Sequence, residues 1–504
     1  MRFKRVIQAA AVAVSALLAV SCSSAGTSEG GAVQENKVLQ IGATAEPAGL
    51  DMIAVDGAGT PFVLLFNVYE TLVRLDEHRT PKPLLATDWQ ISDDRLTYTF
   101  NLDSAAKFSD GTPVNAQAVV HSFQRILDGD AKKQVLGNFA PLKAVRAKGD
   151  YTVELQLKQP SNQFLLTLAD AGGIIVNPAV DKDSLNEKPA GSGPYLFDAW
   201  EPGEYVRLKL NPNYWGTNPH FQEVNFRYYA DPNAMNTAML SGQLDIISNL
   251  TVPQAVGQFS DGSKYTVLEG VTDGEVLLSY NHRNEALAKR EVRQALNFAV
   301  DRKLVMESAW AGKGELIGSM VPPNAPWYED LNGVYPHDPT KARELLAAAG
   351  YESGLTLRLR VPTLPYAPPA ARSIQSQLSE VGVKVEIEEL EFSRWLDLVY
   401  SQHDYDMTIV AHVEPYDLKM YSRAENYMGY VKPEFDELVK SADAGSAEEF
   451  VTKQRAAARV LTEDAASNWL FLLPNIIITQ SDIVGVTKDQ TSLAFDVTKI
   501  ASAR

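Results

Sequence analysis

Between residues 355 and 413, strand-like and helix-like stretches alternate without a break, and this rhythm restricts the fold more than any other feature of the chain. Residues 355–361, 383–390 and 406–413 read as strands, and residues 370–381 and 392–400 as helices. A strand–helix–strand–helix–strand run favours a parallel sheet with helices on its faces. Just before it, Asp338-Pro339 opens a helix that Gly350 ends, with Ala342, Leu345, Leu346 and Ala349 on one face. Asp as cap, Pro in the first turn and Gly beyond the last are the expected terminus chemistry. Ligands of open α/β sheets sit beyond the carboxyl ends of the strands. That rule selects residues 362–369 with Tyr366, the turn at Glu391, and His412-Val413-Glu414-Pro415-Tyr416-Asp417.

The first half of the chain is less regular. Residues 39–43 read as a strand that leaves into Thr44-Ala45-Glu46-Pro47. Residues 88–102 alternate around Asp93-Asp94-Arg95 as a hairpin, and Pro113 opens a helix. Residues 151–157, 206–210 and 244–247 read as strands, and residues 189–195 as a Gly/Pro-rich crossing. The carboxyl-end rule selects Glu46 and Ser248-Asn249 here.

The amino terminus sets the compartment. A basic start, Met1-Arg2-Phe3-Lys4-Arg5, precedes an apolar run over residues 6–20 that ends at Ser21-Cys22. This is the pattern of a secretory signal, too short to span a membrane comfortably. Leu18-Ala19-Val20-Ser21-Cys22 resembles a bacterial lipobox, although Leu usually stands where this chain has Ala19. The resemblance implies cleavage before Cys22, a lipid on its sulfur, and residues 23–37 as a flexible tether. Cys22 is the only cysteine, so with it lipidated no disulfide is available and a large core must hold the fold. The net charge of −17 argues against nucleic acid and anionic lipid surfaces as partners.

Several motifs, in order, carry a family resemblance. They run from Tyr69-Glu70-Thr71-Leu72-Val73 and Pro83-Leu84-Leu85-Ala86-Thr87-Asp88-Trp89 to Lys107-Phe108-Ser109-Asp110-Gly111-Thr112-Pro113-Val114. Gly191-Ser192-Gly193-Pro194-Tyr195, Asn213-Tyr214-Trp215-Gly216, Ser241-Gly242-Gln243-Leu244-Asp245 and Val292-Arg293-Gln294-Ala295-Leu296-Asn297-Phe298-Ala299 follow. With these the chain resembles the family 5 solute-binding proteins of ABC transporters, the peptide/nickel class. The resemblance implies a two-lobed, periplasmic-binding-protein-like α/β fold with an extra domain in the first lobe. Domain I would comprise residues 38–72, 190–280 and 475–504, the inserted domain II residues 73–189, and domain III residues 281–474. It implies hinges near residues 189–195 and Tyr280-Asn281.

It also implies a function: a monomer that encloses a short peptide between its lobes and delivers it to an ABC permease and ATPase. Peptide binders of this family anchor the ligand's ammonium with an Asp in a loop that begins Gly-Trp. Here Ala411-His412 stands in that place and the usual Asp is absent, which leaves Glu414 or Asp417 as the acid. His412, Tyr366, Tyr416, Ser192 and Glu46 complete the candidate ligand contacts. A metal chelate of the nickel type, haem or another peptide-like solute is the alternative. The seven His residues form no HExxH or close pair, so a naked-ion site and a resident cofactor are not expected. No GxSxG, P-loop or CxxC supports an enzyme.

Overall fold

The computed structural model describes residues 38–55, 57–413, 417–423 and 425–503. The signal, Cys22, the tether, Glu414 and Tyr416 lie outside the described residues, as does the side chain of Asp417. No helix among the described residues is long and apolar enough to cross a membrane.

The chain begins with β1 (Val38–Ala43), then a two-stranded ribbon of β2 (Val73–Leu75) and β3 (Pro81–Pro83). β4 (Ala86–Ile91), β5 (Thr97–Leu102), β6 (Leu142–Ala147) and β7 (Thr152–Leu157) form a separate antiparallel sheet in the order β4-β5-β7-β6. The hairpin read around Asp93-Asp94-Arg95 is β4–β5. The helix expected to open at Pro113 starts at Ala116, because the Asn115 side chain accepts from the Ala118 N–H and caps it there. β8 (Tyr195–Glu201), β9 (Tyr205–Leu210) and β10 (Glu223–Tyr228) fold back antiparallel, and β10 lies parallel to β1. β11 (Ile246–Ile247), β12 (Tyr265–Tyr280), β13 (Leu355–Pro362), β14 (Val383–Leu390), β15 (Met407–His412) and β16 (Ser467–Gln480) complete a ten-stranded sheet. Its order is β14-β13-β15-β12-β16-β11-β1-β10-β9-β8. A last ribbon pairs β17 (Ile483–Val484) with β18 (Ala501–Ser502).

β13, β14 and β15 are parallel, as the alternation of strands and helices predicts. β13 and β14 bury one face, whereas β15 and the neighbouring parts of β12 and β16 are covered on both. Val276, Leu278, Leu357, Leu359, Met407 and Ile409 face one core; Leu277, Val410 and Trp469 face another. The period of two along each strand sends alternate side chains to opposite cores. The helix read over residues 392–400 is shorter than expected. It runs as α-helix only over Phe392–Trp395 and then widens to a π-turn over Leu396–Ser401.

β12 and β16 are long enough to serve both halves of the sheet. Residues 265–271 of β12 pair with residues 474–480 of β16, which also pair with β11. Residues 275–280 pair with β16 and with β15 on the other side. The register breaks between Val271 and Glu275, where the Thr272 hydroxyl donates to the Leu473 carbonyl at 2.6 Å. This break lies mid-strand, not at Tyr280-Asn281 where a hinge is expected from the sequence. Bulges of this kind bend a strand and increase its twist. Arg79, at a left-handed φ of 56°, makes a buried ion pair with Asp273 at the same place and donates to Asn324 Oδ1 at 3.0 Å.

The other expected hinge, residues 189–195, belongs to a buried knot. A Cβ on Gly191 would lie 2.0 Å from the Val68 carbonyl oxygen, so only glycine fits. The approach brings Ser192 under Glu70. The Ser192 hydroxyl (2.8 Å), the Trp215 Nε1–H (2.9 Å) and the Tyr214 hydroxyl (3.1 Å) all donate to the Glu70 carboxylate. Burial nevertheless pushes the Glu70 carboxyl up to about 7, against the pull of those donors and of Arg74. A carboxyl raised above its unfolded value of 4.5 adds stability that is present in acid and is lost as pH rises through about 7. Glu70→Gln cannot titrate. The wild-type advantage in unfolding free energy over this variant should therefore shrink by about 3 kcal/mol between pH 4.5 and 7.5. Urea unfolding at four or five pH values reads this directly, and parallel profiles would refute the assignment.

Candidate functional site

The register of the large sheet places two sets of strand ends face to face. β1 and β11 run parallel and end at Ala43 and Ile247, and the Leu250 N–H then donates to the Ile476 carbonyl at 2.7 Å. β15 runs towards them from the other half and ends at His412, opposite Glu275, which in turn lies opposite Leu472. Residues 472–476 of β16 therefore bridge the two sets of ends, a span of about 13 Å at the usual strand rise. Residues 44–47 with 248–249 in one half and residues 412–413 in the other thus border one cleft. It lies at the topological switch point of the sheet, where ligands of such sheets bind.

On the β1/β11 side the cleft contains a cavity of about 240 Å³ lined by Thr44, Ser248, Asn249, Asn475, Asp489 and Arg74, among others. Asp489 accepts from the Val271 N–H at 2.9 Å, and the Gln490 N–H donates to the Val271 carbonyl at 2.8 Å. The loop after β17 is thereby laid along the register break of β12. Arg74 pairs with Asp496 at 2.7 Å and lies over the Phe66 ring at 4.9 Å. Burial opposes ionisation of Asp496, but Arg74 and Thr498 outweigh it and hold the carboxyl below its usual range. The wall offers amides, hydroxyls and one compensated cation, which suits a polar ligand contacted through its main chain.

On the β15 side His412 is half-buried. Its ring stacks on Tyr427 with centroids 6.0 Å apart, and Nε2 lies 3.0 Å from the Tyr427 hydroxyl. That hydroxyl is 3.2 Å from Ser279 Oγ. Tyr427 in turn meets Tyr400, Tyr405 and Trp395 at 5.5, 6.0 and 6.1 Å. Burial pulls the His412 imidazole down to about 4, so at neutral pH it offers a hydrogen bond and an apolar face rather than a charge.

Three sequence candidates have their polar side-chain atoms engaged within the protein. Ser192 is wholly buried and its hydroxyl is used by Glu70, so it is not a ligand contact. Tyr366 is 6 % exposed; it packs against Trp310, and its hydroxyl accepts from the Ala411 N–H at 2.8 Å. It positions the strand end that leads to His412 instead of meeting a ligand. Glu46 accepts from Trp200 Nε1 at 2.7 Å and from the Gly203 N–H at 2.9 Å, so its Oε1 is committed to holding the turn after β1. Arg74, Asp489 and Tyr427 were not selected from the sequence. They sit outside every strand-end turn, and no local pattern marks them. Among the described residues no three His, Cys, Asp or Glu side chains gather as a metal site would need.

Residues 80–428 match the family model described as bacterial extracellular solute-binding proteins, family 5 Middle. The chain is 30% identical over 461 residues to the probable D,D-dipeptide-binding periplasmic protein DdpA of Escherichia coli K12, covering 86% of this chain and 88% of that one. It is 28% identical over 330 residues to the glutathione-binding protein GsiB of the same strain, a match that takes in 64% of each chain. Among solved structures, the Agrobacterium binding protein AgaA in complex with agropinic acid superposes with a TM-score of 0.76 at 26% identity, over 93% of this chain and 99% of that one.

A histidine whose pKa is depressed on folding adds stability that is present above its unfolded value of 6.5 and lost as pH falls through about 4. His412→Gln should therefore lose less stability than the wild type on acidification from pH 6.5 to 4, by about 2 kcal/mol. Denaturant melts at the two pH values measure the difference. Equal losses would mean that His412 is not desolvated as described. His282, lowered to about 4 in the same way, remains in both proteins and cancels in the comparison.

Proposed function

Because the chain belongs to family 5 of the bacterial extracellular solute-binding proteins, we propose that it captures short peptides between its two halves and hands them to an ABC permease and its ATPase. The observation that carries this reading is the cleft at the switch point of the ten-stranded sheet, spanned by β12 and β16. Its described wall mixes neutral polar side chains such as Thr44, Ser248, Asn249 and Asn475 with apolar residues, which suits a ligand held by its peptide groups with loose selection of side chains. The two curated relatives are named for a dipeptide and for glutathione, itself a tripeptide. The protein is a solute carrier and not an enzyme on this reading, and it acts as a monomer.

The rest of the reading comes from the sequence. Cys22 carries the lipid that tethers the protein to the outer face of the cell membrane. Glu414 or Asp417 supplies the carboxylate that receives the peptide's ammonium. Tyr416 and the neutral His412 complete the ligand contacts. An enclosed ammonium needs such a partner, since an unpaired buried charge is costly.

Two measurements test the proposal. Gentle denaturation of the purified protein followed by mass spectrometry should release a set of short peptides. Release of a single non-peptide solute or a metal chelate would displace the peptide reading. Glu414→Gln should weaken tri-alanine by about ten-fold or more while leaving N-acetylated tri-alanine unchanged. An equal loss for both peptides would remove the ammonium role of Glu414.

A further inference from the structure

A second set of contacts ties the two halves of the molecule far from β12 and β16. The short helix Asn162–Thr167 belongs to the segment that carries the four-stranded sheet, and its amino end meets the end of the helix Pro433–Ala444. The first turn of Asn162–Thr167 is not capped by its own Ser161. The Gln163 N–H donates to Asp443 Oδ1 at 2.9 Å. The Ser161 hydroxyl donates to the same carboxylate, 2.8 Å from Oδ2 and 3.0 Å from Oδ1. Asn162 Nδ2 donates to the carbonyls of Ala442 (3.0 Å) and Gly445 (2.8 Å). Arg95 adds a bond to the Ala444 carbonyl at 3.2 Å. Around 280 residues of chain separate the partners, so no local folding preference brings them together.

The same helix is apolar on two sides. Phe164 and Leu168 are buried in the core of the first half, whereas Leu166 packs against the core that contains Trp395, Tyr421 and Tyr427. One further bond links it to the candidate ligand loop. Lys419 Nζ donates to Gln163 Oε1 at 3.0 Å, and Lys419 lies in the 3-10 turn Asp417–Ser422 that follows directly on residues 413–416.

We propose that residues 161–163 and Asp443 form a latch that holds the halves together, with Lys419 of the turn Asp417–Ser422 as a further tie through Gln163. This rests on the proposed function for its purpose but not for its measurement. The latch bonds are part-buried, with Ser161 itself buried, so releasing them also separates Leu166 from the second core. In binding terms they stabilise the closed complex and act on the dissociation rate more than on the encounter rate.

The test uses the full chain with Cys22→Ser and two exposed labelling positions, Ser241→Cys in the first half and Lys384→Cys in the second. Single-molecule energy transfer without added solute reports the distance between halves. Asp443→Ala should shift the closed-to-open ratio about ten-fold towards open, and Asp443→Asn, which keeps the acceptor oxygen, should restore most of it. Ser161→Ala, a smaller change, should move the ratio in the same direction and covers the case in which Asp443→Ala does not fold. With tri-alanine as probe, Asp443→Ala and Lys419→Ala should each dissociate faster, by about ten-fold and about three-fold, with association within about two-fold of wild type. Unchanged distance distributions in both Asp443→Ala and Ser161→Ala would overturn the latch. Tri-alanine that binds no form of the protein would instead count against the peptide reading, and the solute-free distributions would still decide the latch.

Discussion

Everything in this molecule hangs on two strands that refuse to end. β12 and β16 are 16 and 14 residues long, and each is shared between two groups of neighbours. A strand in mid-sheet must satisfy its backbone on both edges. Residues 265–271 pair with β16 alone and residues 275–280 lie between β16 and β15, and the register break falls where β15 joins the ladder. The cleft is a consequence of that arrangement. Strands that arrive from opposite halves stop short of the break, and their carboxyl ends are left facing each other over the bare middle of β16.

The motifs that make the sequence recognisable do not line this cleft. Tyr69-Glu70, Gly191-Ser192-Gly193 and Asn213-Tyr214-Trp215 are far apart in the chain and meet around one carboxylate. Glu70 sits in a place where burial makes ionisation expensive, so each donor around it is needed. Removing any one leaves a buried acceptor under-satisfied, and adding a Cβ at Gly191 drives it into the Val68 carbonyl. Such a site tolerates little change, which gives it a strong sequence signature, yet it only fixes how the inserted segment returns to the main sheet. Identity is legible in the parts with the tightest packing, and these say nothing of the ligand.

The same physics explains what the sequence reading reached and what it missed. Period-two alternation marks β13 and β14 plainly because one face of each is buried and the other meets solvent, and the Asp338-Pro339 cap marks its helix because the chemistry is local. Strand ends are therefore predictable, and with them the turns at residues 44–47, 248–249 and 412–413. What a strand-end residue does with its side chain is not local. Tyr366 and Ser192 turn inwards because partners at Ala411 and Glu70, remote in sequence, take their hydroxyls. Tyr427 and Asp489 reach the cleft from loops whose course depends on contacts with β12 and β15, and no window of sequence contains both sides of those contacts.

Two interhalf ties of different character follow from this layout. Arg79 is buried at the register break, where it pairs with Asp273 of β12 and bonds Asn324 of the second half. Separating a buried ion pair leaves a charge without compensation, which is more costly than losing a hydrogen bond between uncharged groups. The Arg79 pair therefore acts as a fixed anchor beside the register break. Residues 161–163 and Asp443 join two helix ends instead, and because Ser161 is buried and Leu166 beside it packs into the second core, parting them costs apolar contact as well as hydrogen bonds. The two ties thus differ in kind: one holds a charge that must stay paired, the other a small patch whose polar and apolar contacts are made or lost together.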